Sequence, residues 1–181
     1  MKKEAILYQT LQDSKVQCGL CNHRCIISDG KKGICGVRKN EAGKLYTLVY
    51  SKAIAENVDP IEKKPLFHFL PGTFSLSIAT VGCNFRCLHC QNADISQASK
   101  ERAFEDSDLI LGKDLPPEKI VEDAINENCP SISYTYTEPT IFVEYALDTM
   151  KLAREKELKN VWVSNGYMTK EALDLVGPHL D

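Results

Sequence analysis

Residues 75–90, Ser-Leu-Ser-Ile-Ala-Thr-Val-Gly-Cys-Asn-Phe-Arg-Cys-Leu-His-Cys, decide how the whole chain is read. Ser75 to Thr80 predicts a β-strand. Its end delivers a loop in which Cys83, Cys87 and Cys90 are separated by three and then two residues. At that spacing one short loop aims three thiolates at a single inorganic centre. Three are one too few for a closed tetrahedral zinc site or a four-cysteine iron–sulfur cluster, so one metal position stays open for a small molecule. The competing reading, structural cysteines or part of a zinc site, is weaker. Free structural cysteines rarely cluster, and a closed zinc site recruits its fourth ligand nearby.

Toward the N-terminus, Cys18, Cys21, Cys25 and Cys35 place four thiolates within eighteen residues, joined by glycine-bearing turns. Such a set closes a tetrahedral shell and staples a segment too small for a core of its own. Zinc and a second iron–sulfur cluster both accept four cysteines, so the thiolate count leaves both open. His23 reads as a bystander beside four thiols, and Cys129, the eighth cysteine, reads as a core residue at a helix end. Seven of the eight cysteines in two tight groups, with no export signal before them, indicate metal sites in a reducing compartment rather than disulfides. No window approaches the roughly 18 uninterrupted apolar residues of a membrane helix, so the chain is expected to be cytoplasmic. A net charge of −3 with both signs interspersed offers no basic face for nucleic acid or an anionic membrane.

At 181 residues and 43% hydrophobic content the chain suffices for one packed domain and a small appendage. Residues 1–16, with Ile6, Leu7 and Leu11, predict a short amphipathic helix, and residues 44–50 a strand. Prolines at 60, 65 and 71 predict a wrapped connector over 57–72, with Lys63-Lys64 in a solvated turn and His68 packed. They put the boundary between a Cys-rich segment, 1–72, and a core domain, 73–181. Beyond it the pattern is βα. The strand at 75–80 is followed by a polar connector over 93–115, a helix from Pro116-Pro117 and a strand at 131–136. A helix at 139–156, a strand at 161–164 and a helix from Thr169 to Gly177-Pro178 complete it. The fold class is therefore α/β, with a parallel sheet whose C-terminal strand ends carry Cys83, Glu138 and Asn165.

The cysteine spacing directly after an apolar strand, followed by Gln91-Asn92, resembles the signature of radical S-adenosylmethionine (SAM) enzymes. That resemblance implies a partial (β/α) radical SAM barrel, about three βα units long here. It implies a [4Fe-4S] cluster on Cys83, Cys87 and Cys90, with SAM chelating the fourth iron through its amino and carboxylate groups. It further implies that an electron from the reduced cluster breaks a sulfonium C–S bond, and that the resulting 5′-deoxyadenosyl radical takes a hydrogen atom from the substrate. Most of the family has Tyr or Phe before the last cysteine; here the residue is His89, also a flat ring able to lie near adenine. Thr137-Glu138-Pro139 stands where the family commonly carries Gly-Gly-Glu-Pro, and only Glu-Pro survives. Strand-end carbonyls at Thr137 and the Glu138 carboxylate suit the SAM ammonium. Glu-Pro is also an ordinary helix start. Asn165 resembles the cofactor-facing strand end of activating enzymes, although Asn-Gly is a common turn too.

Cys35-Gly36-Val37-Arg38, the run Asp59-Pro60-Ile61-Glu62-Lys63-Lys64-Pro65-Leu66, Thr137-Glu138-Pro139-Thr140 and Asn165-Gly166-Tyr167 extend the likeness over nearly the whole chain. Together they resemble AmmeMemoRadiSam-system radical SAM enzymes, which are similar to pyruvate formate-lyase activating enzymes. The resemblance implies a substrate that includes proteins among its candidates, and an electron donor such as flavodoxin or ferredoxin. The alternative is an inactive metal-binding fragment or interaction module that keeps the cysteines without cleaving SAM. Folds of this kind generally continue through further βα units, so a chain ending on the helix at Gly177-Pro178 is expected to hold a cluster yet turn over poorly.

Overall fold

The computed structural model describes residues 2–101 and 108–181. The first part of the chain is built from short strands. These are β1 (Lys3–Glu4), β2 (Tyr8–Thr10), β3 (Val16–Cys18), β4 (Ile26–Ile27), β5 (Arg38–Glu41) and β6 (Lys44–Thr47). They form two antiparallel sheets, β1-β6-β5 and β2-β3-β4. The β5–β6 hairpin turns on Ala42 and Gly43, whose φ values of 50° and 84° are the left-handed pair that a tight hairpin turn needs. The helix expected over residues 1–16 does not form. Pairing of Lys3 with Thr47 and of Tyr8 with Cys18 satisfies this backbone instead, and a short helix is marginal without tertiary support.

Next come β7 (Lys52–Ala53) and β8 (Ala55–Pro60), then β9 (Phe74–Ala79). The connector read over 57–72 is thus replaced at its start by a strand: β8 pairs antiparallel with β9 from Ala55–Ala79 to Pro60–Phe74. Pro60 is tolerated because β8 is an edge strand and needs no donor on its outer side. His68 is exposed rather than packed. After the cysteine loop, α1 (Ala93–Gln97) and β10 (Lys113–Asp114) lie in the stretch read as a connector, part of which falls outside the described residues. The βα alternation then proceeds as expected through α2 (Pro117–Asn126), β11 (Ser131–Tyr134), α3 (Val143–Glu155), β12 (Lys159–Trp162) and α4 (Lys170–Val176).

The main sheet has the order β12-β11-β9-β8, its first three strands parallel. On one face Leu76, Ile78, Ile132 and Tyr134 meet Ile120, Val121 and Ala124 of α2 and Tyr145, Ala146 and Met150 of α3. Each fully buried aliphatic side chain there contributes about 1.5–3 kcal/mol. The alternate positions are serines: Ser75 pairs with Ser131 and Ser77 with Ser133, and Ser75 Oγ lies 2.6 Å from Ser133 Oγ on the diagonal. A second core joins Val16, Leu20, Ile27 and Leu45 to Val143 and Leu147 of α3 and to Ala172 and Val176 of α4. The cysteine-rich segment therefore shares a core with the helices. No helix among the described residues is long and apolar enough to cross a membrane.

Candidate functional site

The cysteine loop leaves β9 through Gly82, whose φ of 99° suits glycine; a Cβ there would sit 2.7 Å from Val37 Cγ1 and 2.8 Å from the Cys35 carbonyl oxygen. Lys100 Nζ and Gln97 Nε2 each donate to the Phe85 carbonyl at 3.0 Å and hold the loop against α1. Phe85 N–H points at Cys83 Sγ at 3.4 Å, and Ser96 Oγ lies 3.4 Å from Cys90 Sγ. Cys87 is exposed, while Cys83 and Cys90 are half-buried, and all three carry free thiols.

All three face one open cleft of about 450 Å³. Its other walls come from the ends of the parallel strands: Thr135 to Glu138 after β11, and Val163 to Asn165 after β12. Tyr136 stands at φ 62°, a left-handed conformation uncommon for a bulky residue, and Asn92 Nδ2 holds its carbonyl at 2.8 Å. Thr137 Oγ1 donates to the Thr80 carbonyl at 2.9 Å and ties the end of β11 to the end of β9. Glu138 is buried. Its Oε1 accepts from Thr140 N–H, Thr140 Oγ1 and Ser164 Oγ at 3.0, 2.5 and 2.8 Å, and its Oε2 accepts from Asn165 N–H at 2.8 Å. A carboxylate has about four lone-pair sites, two on each oxygen, so Oε2 keeps one open.

Asn165 lines the cleft, and its Nδ2 donates to Asn84 Oδ1 at 2.8 Å. His89 is exposed and is not among the residues lining the cleft. The turn after β8 supplies a wall that the sequence reading missed. Lys64 is not solvated: its side chain is 3% exposed, and its Nζ lies 2.7 Å from Asp59 Oδ2. Lys63 Nζ reaches Asp59 Oδ1 at 2.6 Å, and the Tyr136 hydroxyl also donates to Asp59. Burial pushes the Asp59 carboxyl up, but hydrogen bonds from Lys63, Lys64 and Tyr136 outweigh it and hold the group well below the usual carboxylate range. Burial lowers the Lys64 ammonium despite the Asp59 carboxylate beside it. The Asp59/Lys63 spacing of four residues was the available signal.

Cys18, Cys21, Cys25 and Cys35 line a separate, smaller cavity together with His23, Arg38 and Asn84. Burial drives the Cys35 thiol up to about 12 and raises Cys21 and Cys25 as well. A bound cation reverses that cost by taking the thiolate directly. Among the described residues no three Cys, His, Asp or Glu side chains close to the spacing of a single metal ion, in either cysteine group. Three thiols with no fourth thiol lining the large cleft fit the donor set of a four-iron cluster that keeps one iron open.

Residues 77–178 match the profile of the Radical SAM superfamily. The chain is 50% identical over 171 residues to the uncharacterized protein MJ0808 of Methanocaldococcus jannaschii, covering 94% of this chain and 49% of that protein. It is 26% identical over 162 residues to the uncharacterized protein MJ0674 of the same organism, covering 88% of this chain and 41% of that protein. The chain thus spans about half the length or less of the curated relatives it matches. No solved structure matches it. The matched profile takes in more than half of the chain, from the strand that carries the cysteine loop to the end of α4. The chain belongs to the radical SAM superfamily, whose members use a [4Fe-4S] cluster and SAM.

Proposed function

We propose that Cys83, Cys87 and Cys90 ligate the [4Fe-4S] cluster of a SAM-cleaving enzyme and that SAM lies in the cleft beside it. The observation that carries this reading is the single cleft shared by the three thiols, Glu138 and Asn165 at the C-terminal ends of three parallel strands. The cluster and SAM, once bound, supply an electron and a carbon radical. The chain's own residues do the positioning. Thr137 and the open lone pair of Glu138 Oε2 receive the SAM ammonium, and Asn165, held between Asn84 and the Glu138 carboxylate, fixes the far wall. His89 lies beside adenine only after a rearrangement of the exposed loop tip, since it stands outside the cleft.

The run from Asp59 to Leu66 and the Thr137 to Thr140 motif favour an AmmeMemoRadiSam-type enzyme similar to pyruvate formate-lyase activating enzymes. Under that reading the substrate is a protein, the reductant is a flavodoxin or ferredoxin, and the compartment is the cytoplasm. Residues 73–181 are the core domain of a partial barrel, and the 1–72 segment carries zinc or a second cluster. The test is anaerobic reconstitution with iron and sulfide, followed by EPR of the reduced protein with and without SAM. The parent should give a SAM-responsive signal, and 5′-deoxyadenosine should form with a strong reductant. Replacing all three cysteines with Ala should abolish both. A SAM-responsive signal that survives the triple replacement would sink the ligand assignment.

A further inference from the structure

We infer that Lys63 and Lys64 form an anion-recognition wall of the large cleft, and that the group it takes is a carboxylate or phosphate carried by the substrate. This deepens the proposed function and rests on its placing of SAM beside the cluster. Both lysines line the cleft together with Cys83, Cys87, Cys90 and Glu138. They follow β8, at one edge of the four-stranded sheet, whereas Ser164 and Asn165 follow β12 at the other edge. The cleft thus carries an acceptor wall at Glu138 and a cationic wall at the turn after β8.

The balance of charge carries the inference. Among the described residues that line the cleft, the charged side chains besides the cysteines are Lys63, Lys64 and Glu138. Glu138 is engaged by Thr140, Ser164 and Asn165. Behind the lysines a single carboxylate serves both: Asp59 Oδ1 lies 2.6 Å from Lys63 Nζ and Oδ2 lies 2.7 Å from Lys64 Nζ. Two ammoniums on one carboxylate leave an excess positive charge, and the Tyr136 hydroxyl takes up more of the accepting capacity of Asp59. Lys64 has a side chain only 3% exposed, and its Nζ stands 4.9 Å from the centre of the Tyr136 ring. Asp59 is its one hydrogen-bond acceptor among the described residues, although an ammonium has three N–H donors. Burial lowers the ammonium for the same reason. An anion in the cleft supplies the missing countercharge.

The two lysines have different tasks. The Lys63 side chain is 59% exposed, and an exposed ion pair contributes little, so its ammonium can turn from Asp59 to a ligand in the cleft. Lys64 is a positioning residue that stays on Asp59 and keeps positive potential in a poorly solvated wall, where charge acts more strongly than in water. The turn is fixed in advance. Ile61 is fully buried and its N–H donates to the Thr73 carbonyl at 2.9 Å, Lys64 N–H donates to the Ile61 carbonyl at 3.0 Å, and Gly72 N–H donates to Glu62 Oε1 at 2.7 Å. A preorganised site loses less freedom when a ligand arrives. The carboxylate of SAM is the competing anion. On the reading above it chelates the open iron and finds its countercharge there.

The experiment uses the reconstituted full chain with excess SAM, so that the open iron is occupied, and titrates inorganic phosphate and, in parallel, glutarate. Binding is read from relaxation of the probe's phosphorus or proton nuclei by the reduced cluster, which reports anions that sit near it. Saturable binding is expected in the parent, weakened about tenfold or more in Lys63→Gln, which removes a charge-assisted contact from an exposed position. Lys63→Arg keeps the charge and should retain the binding. Lys64→Gln should weaken it too, but it also strips a buried partner from Asp59, so the exposed position decides. No saturable relaxation with either probe, or parent-like affinity in Lys63→Gln, overturns the inference. SAM affinity, from EPR titration, should be the same in Lys63→Gln as in the parent. A matching loss there would give the lysines to the SAM carboxylate and overturn the inference as well. A SAM-responsive signal without anion binding sinks this inference alone. A parent that binds the probe through Lys63 but shows no SAM-responsive signal sinks the proposed function, while the anion wall stands.

Discussion

Glu138 has two tasks on one carboxylate. It starts the turn at Pro139–Phe142 by accepting from Thr140 N–H, and it clamps the end of β12 through Ser164 and Asn165. Glu138→Gln puts an amide where at least one N–H now donates. We predict a loss of about 1–3 kcal/mol in stability and weaker SAM binding with iron content retained. Thermal unfolding and equilibrium SAM titration check this. Parent-like affinity would leave Glu138 as a helix-start acid that only positions the loop. Gly82 is constrained by its neighbours instead. Gly82→Ala forces a left-handed φ on an L-residue and drives a methyl into Val37 and the Cys35 carbonyl. The expected cost is about 2–4 kcal/mol, read from the denaturant midpoint.

Between elements, two charged contacts join segments far apart in the chain. Arg38 on β5 and Glu144 on α3 form a two-toothed ion pair, each 2% exposed, with Ile6 N–H also donating to Glu144 at 2.8 Å. Removing one partner leaves a buried charge. Glu144→Ala is therefore expected to cost about 3–5 kcal/mol in urea unfolding, whereas replacing both residues by apolar ones of similar size should recover much of it. The turn after β8 makes a pH prediction. The Asp59 carboxyl lies below its ordinary value near 4 when folded, so it adds stability above that pH, and the contribution is lost as pH falls below it. The parent's stability advantage over Asp59→Asn should shrink between pH 6 and pH 3. An advantage that stays constant over this range would contradict the assignment.

At the scale of the whole molecule, the N-terminal segment and the βα sheet are one packed unit, since Leu20 and Val16 share a core with α3 and α4. Thr169 caps α4 while its hydroxyl donates to the Gly19 carbonyl at 2.7 Å. Paired changes such as Cys18→Ser with Cys21→Ser should lower both the melting temperature and the metal content while leaving the SAM-responsive signal recognisable. Loss of both centres in every such variant would instead mean one shared centre. The sequence by itself determined the cysteine loop, the parallel βα order and the helix starts at Pro117 and Thr169, because spacing, periodicity and capping act between near neighbours. Only the tertiary structure decided that residues 3–4 and 8–10 are strands, that 55–60 closes the sheet edge, that Lys64 is buried on Asp59, and that Arg38 and Asn84 line the cavity of the N-terminal thiols. Strand pairing and the burial of charge depend on partners many residues away, and local pattern carries no record of which partner arrives.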